Sequence, residues 1–198
     1  MNNGVNNIER MVDILSSLPT IGKKTARRLT YYILKQDIDY ANKFSATLID
    51  LVENVHLCEV CYNFTETKVC KICESEKRDK TKICVVEDPS DVSYIDNTNE
   101  FSGLYHVLHG VINPLNNINA EDLKIRELIN RLQGVDEVIL ALNPNVESDI
   151  TAQYLANMIK PLDIKVTKLA SGLPLGTSIE FSDNATISRA LEGRVIIR

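Results

Sequence analysis

Apolar residues in the first part of the chain recur at the three-and-four spacing of a helix. Ile8, Met11, Val12, Ile14, Leu15 and Leu18 predict an amphipathic helix over about residues 7–17. "LPTIG" interrupts it, because proline lacks an amide hydrogen and glycine permits a tight turn. Thr25, Ala26, Leu29, Ile33 and Leu34 predict a second helix. A third, near 39–56, sets Phe44, Leu48, Leu51, Val52 and Val55 on one side. From "KICVVED" onward strands are expected near 82–87, 104–108, 136–142 and 164–169, alternating with helices near 121–132 and 149–160. Such alternation predicts an α/β fold, a mostly parallel sheet covered on both faces by helices. "ATISRALEG" reads as a last short helix and "RVIIR" as a terminal strand, while the Asn-rich start is expected to be disordered. The expected divisions are a helical domain over 1–56, a cysteine module over 57–74, a sheet domain over 80–175 and a C-terminal segment over 176–198.

Composition narrows the class. At 198 residues, 44% hydrophobic and 25% charged, the chain has globular values. No apolar run reaches the length of a membrane span, and the N-terminus lacks the order of a signal peptide, so the expected location is the cytoplasm. In that compartment five cysteines suggest metal ligation or free thiols rather than disulfides. The net charge of −5 excludes a protein basic all over, yet charge is unevenly placed. Residues 1–34 carry five basic and two acidic groups and 68–82 carry six and three, whereas 83–198 carry nine and sixteen. Local basic patches of this kind suit a nucleic-acid contact made by part of the chain.

"CEVCYNFTETKVCKIC" places Cys58, Cys61, Cys70 and Cys73 as two CxxC pairs separated by eight residues. Each pair turns the chain so that two thiolates converge, and two pairs supply the closed tetrahedral shell of one structural zinc. No ligand position remains for a reacting water. Cys84 lies in an apolar run and reads as a core residue.

"LPTIGKKTARRL" joins two short helices by a turn containing Gly22, where absence of a side chain lets the backbone approach a phosphate. Lys23 and Arg27 share a face of the second helix, as do Lys24 and Arg28. These cations and the first-turn amides predict a grip on the nucleic-acid backbone rather than a base-reading surface. The segment resembles a helix–hairpin–helix, with Thr20 where the first glycine of that hairpin usually stands.

The hairpin, the cysteine knuckles, "ICVVEDPSDV", "GLYHVLHGVINPL", "NPNVESDITAQYLA" and "LASGLPLG", in that order, resemble the RecR family of bacterial recombination mediators from about residue 8 onward. The resemblance implies a Toprim fold for the sheet domain. It also implies one zinc per chain and a non-catalytic protein in recombinational repair that acts with RecO and RecF to load recombinase at single-stranded gaps. Ring-like homotetramers that could encircle DNA are implied as well. Catalytic Toprim enzymes combine a glutamate after the first strand with an Asp-x-Asp pair after a later one, and these bind magnesium. Here Glu87 fits the first place, but Asn143 and Asn145 occupy the pair and remove two charges. The alternative, a divergent metal-dependent Toprim nuclease or topoisomerase-like enzyme, would have to work without them. Glu87, Glu147 and Asp149 are instead expected to form a negative surface for a basic partner such as RecO.

Overall fold

The computed structural model describes residues 6–174 and 176–196, which fall into two compact units, Met1–Val55 and His56–Arg198. The expected disorder of the Asn-rich start concerns residues 1–5, which lie outside the described ones. Asn6 and Asn7 already belong to the first helix.

In the first unit, α1 (Asn6–Ser16) packs on α2 (Lys23–Ile33) through Val12, Leu15 and Ala26, with Ile8, Met11, Ile21 and Ile33 around them. Helix α3 (Ile38–Asn54) starts at Asp37, whose carboxylate accepts a hydrogen bond from the Tyr40 amide at 2.8 Å. None of its residues is buried, so its apolar stripe stays open: Leu48, Leu51 and Val52 are all exposed.

The second unit begins with a small antiparallel pair, β1 (His56–Leu57) and β2 (Phe64–Thr65), followed by the single turn α4 (Lys71–Glu74). The sheet domain then runs β3 (Asp79–Val86), α5 (Pro89–Asp96), β4 (Gly103–Val107), α6 (Ile125–Asn130), β5 (Glu137–Leu140), α7 (Val146–Ile159) and β6 (Lys165–Lys168). All neighbouring strands are parallel, in the order β4-β3-β5-β6. Alternation along β3 explains the two-sided burial. Ile83 and Val85 face the larger core, with Val138, Leu140, Leu128 and Leu155, while Cys84 and Val86 face the smaller one, with Val92, Tyr105 and Val107. Cys84 is therefore a core residue, as its apolar surroundings predict, and burial pushes its thiol up to about 12.

The four expected strands and the long helices are present, with three differences. The helix expected over 121–132 is shorter, because Asn119 and Asp122 form a reciprocal cap that closes a 3₁₀ turn at Ala120–Asp122 before α6 can begin. Helix α5 was not expected at all. Its signal is the start rather than the body: the Asp88 side chain accepts from the Ser90 amide, Asp91 reaches back to the Asp88 amide, and Pro89 occupies the first turn. At the other end, α8 (Asn184–Glu192) forms where "ATISRALEG" predicts it, but Arg194–Ile196 pair with no strand among the described residues. A strand needs a neighbour for its amides, and β6 pairs there only with β5. Ile197 and Arg198 lie outside the described residues.

Candidate zinc and nucleic-acid sites

The two CxxC knuckles close on each other. The four sulfur atoms all lie within 4.8 Å of one another, with Cys61 and Cys70 at 3.5 Å. A tetrahedral zinc with bonds near 2.3 Å spaces its sulfurs by roughly 3.8 Å, so the cluster fits one ion and no disulfide competes for it. Local hydrogen bonds shape each knuckle. The Cys58 amide donates to the Asn63 carbonyl at 2.8 Å, the Tyr62 amide to the Cys58 carbonyl at 3.0 Å, and the Cys70 amide to the Cys58 sulfur at 3.3 Å. Cys58, Cys61 and Cys70 are buried and Cys73 is partly so, leaving no open coordination side.

The knuckle is seated on the sheet. The Val107 amide donates to the Cys61 carbonyl at 2.9 Å, and His109 Nε2 donates to the Tyr62 carbonyl at 2.7 Å. The Tyr62 ring stands edge-on to buried His106 at 5.6 Å, and Lys124 Nζ lies 5.2 Å from its centroid. His106 Nε2 is 2.7 Å from the Lys124 carbonyl, so that nitrogen holds the proton, and Nδ1 faces Arg131 at 3.3 Å. Burial lowers the imidazole to about 4, with the Arg131 charge adding to the effect.

In the first unit, the turn between α1 and α2 has its left-handed residue at Thr20, with φ of +67°, not at Gly22. Gly22 is the N-cap of α2 in ordinary extended backbone, φ −76° and ψ 162°, and a Cβ there would meet nothing within 4 Å. Neither torsion nor packing requires a glycine at this position. Lys23, Lys24 and Arg28 carry no ion pair among the described residues, whereas Arg27 is held by Glu9 through two hydrogen bonds of 2.8 and 3.1 Å. That pairing holds the Glu9 carboxyl below its usual range and raises Arg27. Arg27 thus braces α2 against α1, a link across eighteen positions that spacing does not reveal.

The strand-end acids are brought together differently from the expectation. Chain order runs outward from β3 in both directions, so the switch point of the sheet lies between the carboxyl ends of β3 and β5, where open α/β sheets place their sites. Glu87 and Asn143 meet there. One Glu87 oxygen accepts from the Asn143 amide at 2.6 Å and from Ser148 Oγ at 2.5 Å; the other accepts from Asn143 Nδ2 at 2.8 Å. The carboxylate that faces a metal in a catalytic Toprim site is here clasped by an amide and a hydroxyl. Asn145 has a separate task, capping α7 by accepting from the Ser148 amide at 2.8 Å. Asp149 pairs with Lys168 at 2.5 Å and with Arg189 at 2.9 Å, which lower its carboxyl. Of the three acids expected to form a negative surface, Glu147 alone carries no ion pair or side-chain hydrogen bond among the described residues.

Comparison with known proteins agrees with this sequence of parts. Family models match in order: the RecR helix-hairpin-helix at residues 8–52, the RecR four-cysteine zinc finger domain at 55–75, the Toprim domain at 81–170 and the RecR C-terminal region at 172–195. Proteins named recombination protein RecR are similar over nearly the whole length. The one from Chlorobium luteolum is 50% identical over 94% of this chain and 95% of its own. That from Chloroherpeton thalassium is 48% identical with the same coverage, and that from Clostridium perfringens 46% over 96% of both. The chain belongs to the RecR family. The RecR assignment and the sulfur cluster together make the four cysteines a zinc finger for one structural ion. Membership also sets the Toprim fold of the RecR family around the clasped switch point. No helix among the described residues is long and apolar enough to cross a membrane.

Proposed function

We propose that the chain is a non-catalytic, DNA-binding recombination mediator. It acts with RecO and RecF to load recombinase at single-stranded gaps, as a homotetrameric ring in the nucleoid-bearing cytoplasm. The observation that carries the non-catalytic part is the clasp. Glu87 spends its oxygens on Asn143 and Ser148, and the Asp-x-Asp pair that would complete a magnesium site is Asn143 and Asn145. Magnesium ions need hard anionic oxygens, and two neutral amides lower the charge of the site by two.

The DNA reading rests on the α2 terminus. Free first-turn amides, an N-cap without a side chain and the unpaired Lys23, Lys24 and Arg28 converge on one end of a helix. Gly22, which the protein's own packing does not need, is explained by close approach of a phosphate. Arg27 contributes charge beside them while bound to Glu9. Lys23→Glu with Lys24→Glu is therefore the clean test, since reversing Arg27 would also place two acids against each other. Each lost phosphate contact flattens the slope of log affinity against log salt by about 0.7 to 0.9. Wild-type binding by the double variant across a salt series would remove the hairpin from the DNA contact.

For the partner surface, Glu147 is the favoured acid. Asn145, not Glu147, caps α7, so Glu147→Lys should leave the fold nearly unchanged while slowing association with RecO, more so at low salt. Glu87 and Asp149 hold their neighbours first, and their reversal should cost stability before it costs partner binding.

A further inference from the structure

Beside the cations of α2 lies a shallow concavity of about 630 Å³ whose aromatic lining the backbone-grip reading does not use. Lys23, Lys24, Arg27, Arg28 and Lys35 line it together with Tyr31 and Tyr32, and no acid does. Such a surface fits a polyanion that also carries apolar faces. The two tyrosines differ in what already holds them. Tyr32 stands edge-on to Tyr40 at 6.3 Å, and Tyr40 stacks on Phe44 at 6.4 Å. Tyr31 makes no ring contact among the described residues, is 49% exposed, and meets the Arg27 guanidinium only through its hydroxyl. Its place on the helix is central to the charge: Arg27 and Arg28 lie four and three positions before it on neighbouring faces, and Lys35, just past the end of the helix, lines the same concavity. From Lys23 to Ile33 the axis spans roughly 15 Å at 1.5 Å per residue, room for a few nucleotides of an extended strand.

We infer that Tyr31 is a stacking platform for an unpaired base, flanked by lysine and arginine contacts to the adjacent phosphates, and that it sets a preference for single-stranded over duplex DNA. The inference deepens the proposed DNA contact and rests on it. A phosphate grip does not by itself prefer a single strand, because the duplex carries the denser anionic backbone. An exposed ring does: bases inside a duplex already stack on each other, whereas an unpaired base offers a free face. Charge complementarity selects a nucleic acid over an apolar segment of another chain, since the four cations other than Glu9-bound Arg27 would be left unpaired in a protein interface.

The test compares Tyr31→Leu and Tyr31→Phe in the full-length, zinc-loaded chain, using a short oligothymidylate and a duplex of equal length. Loss of one stacked base at ~1–3 kcal/mol corresponds to about 5- to 150-fold weaker binding. Tyr31→Leu should show that loss on the single strand only, with duplex affinity and the salt slope unchanged, and Tyr31→Phe should bind like wild type. Equal weakening on both DNA forms, or no weakening on either, overturns the inference. A change of oligomeric size in Tyr31→Leu at the same protein concentration also overturns it, because the ring would then serve a second copy of the chain. Failure of the hairpin itself shows separately: Lys23→Glu with Lys24→Glu would leave the salt slope unmoved.

Discussion

Thr20 holds a left-handed backbone at +67° with a β-branched side chain, a conformation that costs L-residues about 1–2 kcal/mol. Glycine removes that strain and gives back part of the gain as chain entropy, so Thr20→Gly should stabilise the first unit by about 0.5–1 kcal/mol in urea denaturation. An unchanged or lowered midpoint would mean that the Thr20 side chain makes up for its own strain. Gly22, two positions on, tolerates a side chain. The second residue-scale prediction concerns the clasp. Asn143→Asp replaces a donor with a like charge beside Glu87, and because the site is half open the expected cost is about 1 kcal/mol. Millimolar magnesium should restore more of the melting temperature in the variant than in wild type. Equal response of the two proteins would contradict the clasp as a substitute for a cation.

Where the zinc knuckle meets β4, His106 gives the second unit a dependence on pH. Its imidazole is buried, and lowered to about 4 from an ordinary value of 6.5. The unfolded chain therefore binds a proton between those limits that the folded chain does not. The stability that His106 allows is complete above about 6.5 and is lost as pH falls toward 4, by up to about 3 kcal/mol. In His106→Gln, denaturation midpoints measured through this window should fall less steeply than in wild type; parallel curves would assign the acid sensitivity elsewhere. Elements of this size also show what a sequence discloses. The strands β3, β4 and β5 were legible as apolar runs that enter the cores, β6 as the alternation of half-buried Ile164 and Val166 with lysines, and the zinc site because all its ligands lie within sixteen residues. Helix α5 was missed because its short body has little amphipathic pattern and its start is written in capping chemistry at Asp88 and Pro89. The Glu9–Arg27 brace and the Glu87–Asn143 clasp join residues eighteen and fifty-six positions apart, and only the fold brings them together.

At the scale of the molecule, the open stripe of α3 bears on assembly. Leu48, Leu51 and Val52 are each more than half exposed on a helix with no buried residue, an arrangement that monomers seldom keep. The proposed ring answers two needs, covering apolar surface and multiplying a DNA contact that is weak in one copy. Light scattering at micromolar concentration should give a mass above that of one chain, and Leu51→Glu with Leu48→Glu should lower it while leaving the zinc content at one per chain. Monomer at every concentration, with and without DNA, would refute the ring. Zinc should behave independently of assembly. Cys70→Ser removes a ligand from a site worth on the order of 10 kcal/mol in such modules, and metal analysis should fall well below one ion per chain with sharply lower solubility.

The clasp has a bearing on how the protein ages. Asparagine side chains convert slowly to aspartate when the next residue's backbone nitrogen attacks the amide carbon and expels ammonia. At Asn143 that nitrogen belongs to Pro144, which has no hydrogen to lose, so the cyclic imide cannot form. The one amide whose hydrolysis would set a second negative charge against Glu87 is thereby shielded from the commonest chemical clock in proteins. Peptide mapping after prolonged incubation at mildly alkaline pH should find Asn143 intact while asparagines ahead of small residues turn acidic.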